Sequence, residues 1–242
     1  MVRVPTRDEE DLRRSHRERR RLIAEQTAYI NRIKGLLFAY GIRDLGCSCE
    51  RLRLDELVTG DDRHMPTRLK AEIGREMERL KLVQDQIAAV EKERDFAPTP
   101  CESSEQKRHK LLELRGMGPT LAAILIREVY YRGFENRRQV ASYIGLCPSP
   151  YSSGESERSS GISKTGNTFA RYIMIEAAWL WLKHQPASEL SLWYAKRTNG
   201  NTGRMRRIML VALARKLAVA LWRFIETGLV PTGAILKAGA AS

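Results

Sequence analysis

Nowhere in its 242 residues does the chain carry eighteen consecutive apolar residues, and its opening stretch, MVRVPTRDEEDLRRSHRERRR, lacks the apolar centre of a signal peptide. Neither a membrane-spanning helix nor a secretory leader is expected, and the sequence reads as a soluble, cytoplasmic protein with no membrane partner. Cysteine is scarce: Cys47, Cys49, Cys101 and Cys147 are too scattered for a disulfide framework, and the C-x-C pair Cys47/Cys49 is a weak zinc spacing. Reduced thiols are the expectation, with no metal site assigned. The four histidines, His16, His64, His109 and His184, share no paired spacing that would make them ligands or bases. No repeat at solenoid periods stands out, and strand-like alternation is nearly absent. Acidic residues are the minority, 29 against 42 Lys and Arg, for a formal charge of +13. Such a balance favours a polyanionic partner, with nucleic acid ahead of an acidic lipid surface.

What is present is helical periodicity. Over residues 8–40, Leu12, His16, Arg19, Ile23, Gln26, Ile30, Ile33 and Leu37 recur in steps of four and three, a coiled-coil-like seam. Thr6 and Glu9 supply a capping box and Gly41 a stop. A second helix is predicted over Thr67–Asp95, with Ile73, Met77, Leu80, Ile87 and Val90 on one side, so residues 1–98 read as an antiparallel helical hairpin. DFAPTPCESSEQ, residues 95–106, interrupts any helix with two prolines and is the expected domain boundary. A second domain, 105–230, is predicted with helices near 106–114, 119–131, 136–144, 167–184 and 203–227. The last residues, 231–242, are expected to fray. The fold class is mainly α.

Three segments could carry chemistry. RGMGPT places Gly116 and Gly118 before Pro119 and Thr120 at a helix start, a helix-hairpin-helix-like turn whose amides could bind a phosphate of DNA; a plain helix connection is the alternative. GLCPSPYSSGESERSSGISKTGN, residues 145–167, holds seven serines flanked by Arg158, Lys164 and Arg171, with Asn167 poised to cap the next helix. It reads either as a solvated linker or as a loop holding a hydroxyl nucleophile where cations stabilise charge on a phosphorus centre. Trp179 and Trp181 read as packing. The terminal helix is expected to bury Ile208, Val211, Ala212, the stem of Arg215, and Leu217 or Ala218. Arg204, Arg206 and Arg207 open it at the positive end of the helix dipole, either compensated by an external anion or simply solvated.

Taken in order, RGMGPTLAAILIREV, NRRQVASYIGLCPSPYSSG, GISKTGNTFARYIMIEAA and the terminal basic helix resemble the C-terminal transposase domain of a bacterial insertion-sequence family, the one-ten type, related to the Piv invertases. The resemblance covers about 105–227, and VRVPTRDEEDLRRSHRERRRL with NRIKGLL resembles the segment joining that family's two catalytic domains. It implies DNA transposition by a RuvC-like domain, whose DEDD carboxylates hold magnesium, acting with a domain that carries a nucleophilic serine. A structured guide RNA pairs element and target in that family. Carried onto this chain, the serine is Ser153 in YSSG, with Ser152 the adjacent alternative. Lys164, Gly166 and Asn167 match the SKxGN element, and Arg171 matches the basic residue after it. Neither Asp8, Glu9, Glu10 and Asp11 nor Asp61 and Asp62 match the carboxylate tetrad, so magnesium is expected only with a RuvC-like domain outside this sequence, and the chain reads as an N-terminally truncated family member. The alternatives are a transposase remnant, a non-catalytic nucleic-acid-binding helical protein, or a helical module that self-assembles through its coiled-coil-like arm. A homo-oligomer is expected.

Overall fold

The computed structural model describes residues 4–43, 52–96, 102–153, 156–163, 165–199, 201 and 203–237. Cys47, Cys49 and Cys101, and Lys164 among the candidate site residues, lie outside them. The chain is mainly helical and divides into two compact units, Glu10–Pro98 and Thr99–Ser242, the latter together with Met1–Glu9.

The first unit is built on α1 (Arg7–Phe38) and α2 (Thr67–Phe96). Thr6 and Glu9 form the reciprocal capping box: the Glu9 amide donates to Thr6 Oγ1 at 3.2 Å and the Thr6 amide to Glu9 Oε2 at 2.9 Å. At the other end Gly41 turns with φ 78°, and the Ile42 amide donates back to the Leu37 carbonyl at 3.1 Å. Ile33 and Leu37 of α1 pack on Leu69, Ile73 and Leu80 of α2, and Leu22 packs on Val83, Ile87 and Val90. Arg19 bonds Glu91, while Arg32, farther along α1, bonds the earlier Glu76 at 2.7 Å, so the helices run antiparallel. Glu76 is buried, and its second oxygen accepts from Arg79.

The second unit is a helical cluster around α8 (Arg204–Thr227), enclosed by α3 (Glu102–Glu113), α4 (Pro119–Leu125) with a π-helical turn at Ile126–Tyr130, α5 (Arg137–Ile144), α6 (Thr168–His184) and α7 (Glu189–Thr198). Ala170, Ala177 and Ala178 of α6 and Ala214 and Ala218 of α8 are all at or near zero exposure, and these small side chains let the two backbones approach closely. Tyr130 Oη donates to the Ala218 carbonyl at 2.9 Å, and burial pushes its pKa up. The buried stripe of α8 differs in part from expectation: Leu217 and Ala218 are buried as expected, with Leu210, Leu213, Leu221 and Phe224, whereas Ile208 is 46% exposed and Val211, Ala212 and Arg215 are only partly covered. These four lie about half a turn from the buried stripe, because both faces of this helix carry apolar residues at helical spacing. Trp179 is likewise exposed, while Trp181 is buried and donates to Ser188 Oγ at 2.8 Å.

Two elements went unread in the sequence. Helix α7, capped by Ser188 at the Ser191 amide, follows Pro186, which interrupts the helical pattern of α6. Strands β1 (Pro148–Ser153) and β2 (Ser156–Ile162) pair antiparallel inside the serine-rich segment, where two prolines argued for a loop. The expected frayed tail also needs correction through Lys237. Gln185 accepts the Ile235 amide at 2.7 Å and donates to the Arg115 and Ile235 carbonyls at 2.8 Å each; Lys237 Nζ donates to the Met117 carbonyl at 2.8 Å. A buried side-chain amide thus docks the segment that composition alone leaves unanchored.

Candidate functional site

The β1–β2 ribbon sits between α5 and α6, and a two-stranded ribbon needs support from outside itself. Two glycines supply the means. Gly145 ends α5 at φ 70°, and a Cβ there would lie 1.9 Å from the Thr165 carbonyl oxygen and 2.5 Å from Arg171 Nη1. Gly166 has φ 97°, and its Cβ would lie 2.4 Å from the Tyr143 carbonyl oxygen. With no side chain at either position, the end of α5 and the turn before α6 interlock, and the Ser163 amide closes the ribbon by donating to the Cys147 carbonyl at 2.8 Å.

Asn167 fixes the joint. Its Oδ1 accepts the Phe169 and Ala170 amides at 3.0 Å each, capping α6, and its Nδ2 donates to Glu128 Oε2 at 3.2 Å and to Tyr143 Oη at 3.0 Å. Tyr143 Oη donates to the Glu128 carbonyl at 2.9 Å, and the Arg132 guanidinium lies 4.3 Å from the Tyr143 ring centre. Desolvation, with the hydrogen bond and like charge shared with Tyr131, pushes the Tyr143 hydroxyl up to about 12, against the opposing pull of the Asn167 hydrogen bond and the Arg132 guanidinium. The matched SKxGN asparagine is therefore wholly engaged in holding the ribbon's base. Its partners Glu128 and Tyr143 were not found in the sequence, since they lie 39 and 24 residues away in the chain. Arg171 Nη1 reaches the Ile144 carbonyl at 3.4 Å beside the same joint.

On the ribbon, Tyr151 pairs with Arg158, Ser152 with Glu157 and Ser153 with Ser156.

Other candidates lie apart. Gly116 turns at φ 91° against His184, where an added Cβ would lie 2.7 Å from the His184 Cβ, so the Gly116–Gly118–Thr120 turn sits by the last residue of α6. Asn167 caps the first turn of that 17-residue helix, roughly 25 Å away at 1.5 Å per residue. Arg204, Arg206 and Arg207 are exposed on the opening turns of α8, whose N-cap Gly203 offers no side-chain bond. Among the described residues, no three His, Cys, Asp or Glu side chains converge as a metal cage would require.

A further feature was not foreseen: a groove of about 900 Å³ along the second face of α8, walled by α5, α7 and the base of the ribbon at Pro148, Gly161 and Ile162. Arg137, Arg138, Arg215, Lys216 and Arg223 line it with no carboxylate among its described residues. Trp193 stands in its wall with Lys216 Nζ 4.8 Å from the ring centre. The spacing 208, 211, 212, 215 is legible in the sequence, which reads it as core; Val219 extends it along the groove.

Residues 108–191 match the model of a family described as Transposase IS116/IS110/IS902. The chain is 48% identical, over 98% of its length and 63% of the relative's, to a Sinorhizobium fredii protein whose name describes it as a transposase, y4rJ. It is 26% identical to a Pseudomonas aeruginosa protein named as a family 20 transposase, over 93% of the chain and 66% of the relative. The transposase for insertion sequence element IS1111A of Coxiella burnetii is 28% identical, over 93% and 61%. The chain thus spans less than two thirds of the length of each of these relatives.

Proposed function

We propose, from the match of residues 108–191 to the IS116/IS110/IS902 transposase family model, that the chain acts in DNA transposition or site-specific recombination, binding DNA and contributing Ser153 as the nucleophile of strand exchange. The observation that carries this reading is the match of residues 108–191 to that family, with the backbone register that sets Ser153 opposite Ser156 at the end of the ribbon; Ser152 is the adjacent alternative. Ser153 Oγ would attack phosphorus, forming an Oγ–P bond as the bond to the departing strand's sugar oxygen breaks; the serine proton leaves to solvent and the departing oxygen takes one up. Because the phosphoserine link retains a phosphodiester, a sugar hydroxyl could reverse the step without a nucleotide cofactor.

The clamp at Asn167 supports such a role by fixing the ribbon's base beside Arg171. Lys164 would join the cationic surround, and the Gly116 to Thr120 turn with Arg204, Arg206 and Arg207 would hold DNA farther out. Magnesium, the RuvC-like domain, a structured guide RNA, a homo-oligomer and a cytoplasmic setting belong to the same proposal. The test supplies the domain and magnesium in trans with matching element DNA. A covalent protein–DNA adduct resistant to denaturation is expected from the wild type and lost in Ser153→Ala. Retention of the adduct in Ser153→Ala together with its loss in Ser152→Ala would move the nucleophile to Ser152. No adduct from any of the three would leave a non-catalytic nucleic-acid-binding protein.

A further inference from the structure

We infer that the groove along α8 is a track for single-stranded DNA, guiding a strand to the base of the β1–β2 ribbon; the assignment of DNA rests on the function proposed above. Charge and apolar surface occur here together. A duplex turns its phosphates outward and hides its bases, so it needs cations alone. A single strand exposes both, and its sites pair a cationic groove with apolar or aromatic platforms for the bases. Arg215, Lys216 and Arg223 sit on α8 and Arg137 and Arg138 across from them on α5, while Ile208, Val211, Val219, Ile162 and Trp193 provide apolar surface between.

Length and direction fit. Ile208 to Arg223 spans about 22 Å of helix, room for roughly six stacked nucleotides at about 3.4 Å each. One wall is Pro148, Gly161 and Ile162, where the ribbon carrying Ser153 begins. Among the described residues the lining has no Asn, Gln, Ser, Thr, Asp or Glu side chain, and its cations can all be taken up by phosphates, which carry no sequence. Binding should therefore be indifferent to sequence. An acidic amphipathic helix would also complement such a surface, but it would have no reason to end at the ribbon.

The experiment measures binding of the full chain to a fluorescent oligothymidylate by anisotropy across a potassium chloride series. The double variant Arg215→Glu/Lys216→Glu is expected to bind at least about tenfold more weakly at moderate salt, with little change for a blunt duplex. An abasic oligomer of equal length should bind the wild type about tenfold more weakly, because its bases no longer rest on the apolar floor. Should the reversal variant lose helical circular dichroism, Arg215→Gln/Lys216→Gln serves instead, with a salt slope shallower by about two. Ser153→Ala should bind the oligomer as the wild type does, so a misassigned nucleophile leaves this result intact. Unchanged affinity in the groove variants, abasic binding as tight as oligothymidylate, oligouridylate bound more than about tenfold tighter, or displacement by an acidic amphipathic helical peptide that spares the reversal variant would each overturn the inference.

Discussion

Gly145 and Gly161 have nearly the same backbone, φ 70° and 81°, and opposite surroundings. At Gly161 a Cβ meets nothing within 4 Å, whereas at Gly145 it would overlap the Thr165 carbonyl and the Arg171 guanidinium. An alanine at either position bears the left-handed penalty of about 1–2 kcal/mol. Only at Gly145 must the joint beneath the ribbon also open. Gly161→Ala is therefore expected to cost about 1 kcal/mol and Gly145→Ala about 3 kcal/mol or more in urea unfolding. Equal losses would mean that backbone strain alone sets both values and that the interlock of α5 with the turn before α6 contributes nothing. The sequence offers both glycines, but only the fold distinguishes them, since their neighbours are Thr165 and Arg171 in one case and open space in the other.

At the scale of the element, α8 has two apolar stripes and one of them faces the core. Leu217 is fully buried in the core of the second unit, while Val219 lines the groove. Leu217→Ala should cost about 2–5 kcal/mol, as a buried leucine truncation does, whereas Val219→Ala should cost less than about 1 kcal/mol. Thermal or urea unfolding of the two variants decides this; comparable losses would restore the stripe that the spacing alone suggested. Helix existence was legible where an apolar period and a cap coincided: Thr6 with Glu9 opens α1 and Asn167 caps α6. Choice of face was not, because periodicity at 208, 211, 212 and 215 looks the same whether it meets a core or a groove. Helix α7 and the ribbon were missed for a related reason. Pro148, Pro150 and Pro186 signal interruption, and what pairs or caps beside them depends on Ser188, Trp181 and residues remote in the chain.

For the whole molecule, the charge of +13 is the property most directly readable from sequence, yet its consequence depends on where the cations lie. The structure separates exposed arginines at the start of α8 from those bordering the groove, and these two sets should report on different ligands. The helix N-terminus at Arg204 carries positive dipole and positive side chains together, with no side-chain cap at Gly203, a combination that an external phosphate would stabilise. Duplex DNA binding is thus expected to weaken steeply with salt, log affinity falling against log concentration by about 0.9 per neutralised phosphate. Replacing Arg204, Arg206 and Arg207 together by Gln should make that slope shallower by up to about three while leaving oligothymidylate binding nearly unchanged. An equal loss for both ligands would merge the two surfaces into one. A slope near zero in the wild type would remove nucleic acid as the partner and return the excess charge to solvation of a self-assembling helical protein.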